Sequence, residues 1–411
     1  MSRGASQGRR FRTVMLLLAP VCSILPHVAY AQTDPRVVVD VSVVGTSDSN
    51  PFLVTNGESS FSATLKVDPK VYWEDESSSF TLDGGLRVSQ YSNRYGSDVG
   101  GRLGVQSDVK LDERTSLSAS AGYQSSRSTL QDNFFGNIGL PLEPGTFPEV
   151  SLTDVTIAGR RIRVNTLDAT VGLNRALSAA DTIGITAATS YSKFGGNVGS
   201  DYRTGSLGLQ YGRQLSERTT VTAALNATVA DYIGINSGDA KIISPQIGIQ
   251  RQLSERLKWS ASVGISYASV DDQFKISRNE LYASGEFSLC NTGVNSSLCG
   301  SVSRGAAPTA LGGISAVTNV AFNYDQKLSL KDSFSVTGRY GRTDQSSNPA
   351  FAALRRNSQI LGASATYTKD VNERFSLTVV PSYTRISEKQ LRKESNYSVM
   401  VGVKFRFGKL R

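Results

Sequence analysis

From Leu257 to Tyr267 apolar and polar positions alternate without a break. Leu257, Trp259, Ala261, Val263, Ile265 and Tyr267 fall on one face, and Lys258, Ser260, Ser262, Gly264 and Ser266 on the other. Side chains of an extended chain alternate with period 2, so this stretch predicts one β-strand with an apolar and a polar face. A polar turn, Ser254-Glu255-Arg256, precedes it. The same unit of turn, strand and closing tyrosine returns at Leu111–Tyr123, Leu215–Tyr232 and Val371–Tyr383, and more loosely from Leu177 and Leu330. Repetition on this scale points to a strand array.

Alternating segments predict sixteen strands, with 14 to 18 the range that the count allows: 36–46, 59–73, 78–91, 98–111, 115–127, 163–176, 182–193, 200–214, 218–232, 240–252, 257–270, 314–328, 333–343, 357–369, 374–386 and 396–407. Short connections at 74–77, 112–114, 177–181, 215–217, 253–256, 329–332 and 370–373 alternate with longer ones, the longest at 128–162 and 271–313. That rhythm belongs to an all-β, up-and-down antiparallel transmembrane barrel, with short periplasmic turns and long extracellular loops. Arg175, Arg213 and Arg251 end apolar faces next to short turns, where snorkelling to head groups and plain surface exposure are equal readings. Tyr91, Tyr123, Tyr191, Tyr267, Tyr340 and Tyr383 fit an interfacial girdle, with Trp73 and Trp259 toward the other rim.

Composition supports a wet interior. Hydrophobic residues make up only 39% of the chain, thin for a soluble domain of this size but sufficient for an outer belt. Residues 1–31 read as a secretory signal, with Arg3, Arg9, Arg10 and Arg12, an apolar run from Val14, and Ala29-Tyr30-Ala31 as the cleavage site. The barrel then spans 32–411. Without the leader, 40 basic residues face 35 acidic ones, and no basic run suggests a nucleic-acid partner. The single histidine, His27, leaves with the leader, so imidazole-based catalysis and the usual metal ligand are lost. No enzyme activity and no cofactor are expected. Cys290 and Cys299, in an exported chain, suggest a disulfide within a loop.

The polar faces supply candidate lumen-lining charges: Lys66, Asp83, Arg87, Arg102, Asp108, Asp168, Lys258, Arg339, Lys404 and Arg406. Two readings of them stand. One is a water-filled conduit for hydrophilic solute, since barrels of this size leave an aqueous channel. The other is a charge-paired lumen that only keeps the barrel hydrated. Connection 128–162 carries Glu143, Glu149 and Asp154, then Arg160 and Arg161, and could fold inward as a constriction. Connection 271–313 is expected to be an external lid or binding surface.

The segment Ser47-Asp48-Ser49-Asn50-Pro51-Phe52-Leu53, together with the repeated unit YGRQLSERTTVTAALNATVADY, resembles the β-barrel porin-2 type family of Gram-negative outer-membrane proteins. That resemblance implies an outer-membrane location with lipid around the barrel. It also implies an association with exopolysaccharide synthesis and export. The expected function is a passive conduit or the outer component of that export, with a general diffusion porin and a non-conducting scaffold or adhesin as alternatives. Polysaccharide or small hydrophilic solutes, and further copies of the chain, are the partners to test.

Overall fold

The computed structural model describes residues 35–127, 161–195, 200–234, 238–271, 277–310, 312–344, 357–388 and 392–408. The proposed signal segment lies outside them. So do four constriction candidates, Glu143, Glu149, Asp154 and Arg160.

Eighteen strands form the wall: β1 (Arg36–Asp48), β2 (Ser60–Glu74), β3 (Ser78–Tyr91), β4 (Ser97–Lys110), β5 (Thr115–Ser126), β6 (Val164–Ala176), β7 (Asp181–Phe194), β8 (Asp201–Ser216), β9 (Thr219–Ile233), β10 (Gly238–Gln252), β11 (Leu257–Asp271), β12 (Ser277–Thr292), β13 (Ser296–Pro308), β14 (Ile314–Lys327), β15 (Asp332–Thr343), β16 (Ser358–Asn372), β17 (Phe375–Glu388) and β18 (Arg392–Gly408). Each strand pairs antiparallel with its neighbours in sequence, and β1 closes the sheet by pairing with β18 from Val38↔Gly408 to Asp48↔Ser398. A closed sheet leaves no outer edge strand, so backbone groups along its ladders find partners without water.

The short turns explain the recurring sequence unit. In Leu177-Ser178 the Ser178 hydroxyl accepts the amides of Ala180 and Asp181 at 3.1 and 3.0 Å and donates to the Asp181 carboxylate at 2.7 Å. Ser329 repeats this with Lys331 and Asp332. At Leu111-Asp112 the carboxylate accepts the Arg114 amide at 2.7 Å, and that bond holds the Asp112 pKa below its ordinary value. A serine or aspartate after the leucine thus closes the turn from its own side chain.

Large apolar side chains project outward along the wall. Ile247, Val263 and Leu281 keep 65%, 63% and 66% of their surface exposed. Such a continuous apolar surface belongs against lipid. Aromatic pairs mark both borders. Trp73–Phe80 and Phe375–Phe405 lie near the short-turn rim, with ring centroids 5.1 and 4.9 Å apart, and Tyr383–Tyr397, at 4.9 Å, lies toward the long-loop rim. Arg175, Arg213 and Arg251 stand on outward positions beside the short turns. Tyr91 does not join the girdle. Its register partner is the buried, inward Ser62, and it packs on Phe52.

The two strands beyond sixteen are β12 and β13, which occupy most of the stretch expected to be a lid. The turn between them covers only residues 293–295. Asn-Thr-Gly and the cysteine pair read as loop chemistry, and Gly300 and Arg304 dilute the apolar face of β13. Cys290 and Cys299 are bonded, but not within a loop. They are register partners on adjacent strands, facing inward with Cα atoms 4.1 Å apart.

Candidate pore and its mouth

All ten candidate lumen charges fall on strand positions of inward parity, opposite in phase to the exposed apolar residues of the same strands. The structure brings six of them into one neighbourhood. Arg406 donates two hydrogen bonds to the Asp40 carboxylate, at 2.8 and 2.9 Å, in a two-pronged geometry that fixes both side chains. Asp40 stands opposite Asp68 across the β1–β2 ladder. Asp68 in turn accepts from Arg102 at 3.2 Å, and Asp83 lies 4.0 Å from the same guanidinium. Arg102 belongs to β4 and Asp68 to β2, so the side chain must cross β3. It does so over Gly85, where a Cβ would lie 2.8 Å from Arg102 Cγ and 2.9 Å from Asp68 Oδ1. Lys66 stands opposite Arg87, and Arg87 reaches Asp98 at 3.1 Å. Asp98, only 2% exposed, also lies 3.7 Å from Arg163. Lys404, one inward position from Arg406, shares this wall. Asp108 accepts from Gln106 at 3.1 Å. Asp168, Lys258 and Arg339 stand away from the network.

The wall from β7 to β10 differs. Among its described inward positions there is no lysine, arginine or carboxylate, and Thr186, Ser190, Gln210, Thr222, Asn226 and Gln246 line it. Ser190 and Thr204 share a hydrogen bond of 2.7 Å. Farther round, Ser244 donates to Ser266 at 2.8 Å.

At the long-loop rim, two segments fold inward. The first is the Ser47–Leu53 stretch. The Asn50 amide donates to Asn396 Oδ1 at 2.8 Å, and Asn396 Nδ2 donates to Asp48 at 2.8 Å. The turn then buries Phe52 and Leu53. Phe52 packs on Tyr91 and Tyr95, at centroid distances of 5.2 and 5.0 Å. Arg161, the fifth constriction candidate, places its guanidinium 4.9 Å from the Phe52 ring centroid and 5.6 Å from that of Tyr95, and donates to the Tyr95 carbonyl.

The second segment is the β13–β14 tip. β12 and β13 pair only from Gly285↔Arg304 to Thr292↔Ser297, the shortest ladder of the sheet. Above it, residues 305–308 pair with β14 alone, and β14 meets β15 only from Val317 onward. The freed tip lies inside the barrel. Ile314 packs on Ala230, Tyr232, Ala240, Ile242, Ala268 and Val270, the inward residues at the upper ends of β9, β10 and β11. Ala310 packs with Val164 and Phe194. Tyr232 Oη accepts the Thr309 amide at 3.3 Å and donates to the Gly313 carbonyl, and the Ser200 amide donates to the Ala310 carbonyl at 2.7 Å. The reversal needs Gly312 and Gly313, both at positive φ (85° and 78°), where a side chain would be strained. The signal for this tip was present in the sequence: the inward positions Ala230, Tyr232, Ala240, Ile242, Ala268 and Val270 are apolar where a wet lumen calls for polar ones.

No protein-family profile and no curated relative matches the sequence. Among solved structures, the barrel is similar to the outer-membrane protein OpdK of Pseudomonas aeruginosa, with a TM-score of 0.48 at 11% identity, over 90% of this chain and 99% of that one. It is similar to OccK2 (OpdF) of the same organism, with a TM-score of 0.46 at 12% identity, over 92% and 98%. The FrpB iron transporter of Neisseria meningitidis gives 0.46 at 8% identity, over 91% and 83%.

Proposed function

We propose that this barrel is a passive outer-membrane channel for small hydrophilic solutes. The observation that carries the reading is the closed 18-stranded wall with lipid-compatible residues outside and charged or hydroxyl-bearing residues inside. Barrels of this strand number enclose an aqueous lumen. The leader read in residues 1–31 supplies export, and the short turns face the periplasm in this reading. The inward tip that carries Thr309, Ala310, Gly312, Gly313 and Ile314 narrows the mouth and sets the size of solute that enters.

Reconstitution into planar bilayers tests the proposal. Discrete current steps, with uptake that falls as solute size grows, support it. A folded barrel that stays electrically silent overturns it and favours a scaffold or adhesin. Polysaccharide export rests on the sequence resemblance alone. Loss of surface polymer in a deletion strain, with no change in uptake of small solutes, would favour that alternative.

A further inference from the structure

The charged network accounts for the arginines at Arg87, Arg102 and Arg406, each within 3.2 Å of an aspartate. Arg339 is different. It stands at an inward position of β15 between Ala321 on β14 and Gly362 on β16. It is half-buried, and among the described residues no carboxylate lies within ion-pair distance of it. A guanidinium kept in a lumen without a counter-charge remains available to a passing anion.

Glu286 is its counterpart. It stands inward on β12, between Ser262 and Ser303, exposed and likewise without an ion-pair partner among the described residues. The registers fix the relation of the two. The row through Glu286 continues to Ser303, Asn319 and Gly341, and the adjacent row through Ser288 continues to Ser301, Ala321 and Arg339. Three strand spacings, about 14 Å around the wall, and a two-residue step of about 7 Å along it therefore separate the two backbones by roughly 16 Å. That is too far for a direct pair. On the concave inner wall two long side chains converge as they project, and the floor between them is small and uncharged. Other inward charges of this sector lie away from mid-height. Lys258, Asp325 and Asp370 are near the short turns, and Arg278, Glu280 and Glu388 are near the long-loop ends.

We propose that Glu286 and Arg339 form a recognition site for small zwitterions at mid-height in the lumen, resting on the channel reading above. Arg339 takes the solute carboxylate and Glu286 the ammonium. An extended dipeptide spans about 7 Å, a length suited to the gap that the two heads leave. An anion-only solute would meet the carboxylate of Glu286, and a cation-only solute would meet the guanidinium of Arg339, so each is opposed where the zwitterion is satisfied at both ends.

The test is calorimetric binding to the detergent-solubilised barrel, which does not depend on conduction. Glycylglycine is compared with N-acetylglycylglycine and glycylglycinamide. Wild type should bind the zwitterion best. Arg339→Gln and Glu286→Gln should each weaken it by about tenfold, the loss expected for one charge-assisted hydrogen bond. The exchanged pair, Glu286→Arg with Arg339→Glu, should restore binding in the opposite orientation. Both singles should keep the heat-resistant compact band of a folded barrel. Equal binding by wild type and both singles, absence of glycylglycine binding to a folded wild-type barrel, or equal affinity for the N-acetylated peptide overturns the site. Silence in bilayers with binding intact would overturn the channel reading and leave the site standing.

Discussion

The inner wall around β1–β4 and the inner wall of β7–β10 solve the same problem with opposite chemistry. The first is dense in charge, and its arginines are held by carboxylates from neighbouring strands or from a strand two away. The second carries hydroxyls and amides and no charge among its described inward positions. Charge density is therefore a poor guide to what a solute feels. Where register places each arginine against an aspartate, the wall is nearly neutral at the distance of a solute. Its contribution is rigidity and hydration. Glu286 and Arg339, mid-height inward charges that register places opposite no counter-charge, lie outside both walls.

The contrast can be broken at several points. The largest effect is expected at the tip that covers the upper end of the uncharged wall. Tyr232→Ala deletes two of the hydrogen bonds that dock it, about 2 kcal/mol or roughly a thirtyfold shift toward the undocked form. Single-channel records should then show larger and more frequent openings. Asp98→Asn comes next. It removes the buried carboxylate that Arg87 and Arg163 share, should cost about 3 kcal/mol of stability, and should move the reversal potential toward anions. The control on the other wall, Gln210→Ala, should change stability by no more than about 0.5 kcal/mol and leave the reversal potential unmoved. Unfolding followed by loss of the compact gel band checks both.

Gly85→Val is subtler. A side chain there occupies the path of Arg102 to Asp68. The pair is partly exposed and worth at most about 1 kcal/mol, so stability should hardly change while ion selectivity shifts. The smallest effect belongs to the turn at Asp112. Its pKa lies below the ordinary 3.8 because the Arg114 amide bonds to the carboxylate. A depressed folded pKa stabilises above the unfolded value and is lost as pH falls through the folded one. The difference between wild type and Asp112→Ala should therefore be present above pH 3.8 and fade on further acidification.

Period-2 alternation exposed the wall in the sequence because outward residues all meet one solvent, lipid, and keep one character. Leu257–Tyr267 is read as a strand and is one, within β11. The same logic failed where surroundings change along a single strand. Leu281, Ala283, Phe287 and Leu289 alternate well enough to be a strand, yet Asn291-Thr292-Gly293 and the cysteines suggested a surface excursion. Asp40–Arg406 joins the first strand to the last, and Arg102–Asp68 skips a strand. Neither relation is local, so the residues were legible as a set but not as pairs. Tyr91 was misplaced because a closing tyrosine looks alike on either face, and parity within β3 decides it.

The ladder from Val38↔Gly408 to Asp48↔Ser398 has a consequence for biogenesis. The strand synthesised first is hydrogen-bonded to the one synthesised last, so the cylinder cannot be sealed while the ribosome still holds the final segment. Until then two raw edges and a long hydrophobic ribbon stand open, the condition in which chains pair with one another. A chain built this way depends on escorts that keep it unfolded across the periplasm and on insertion that delays closure to the end.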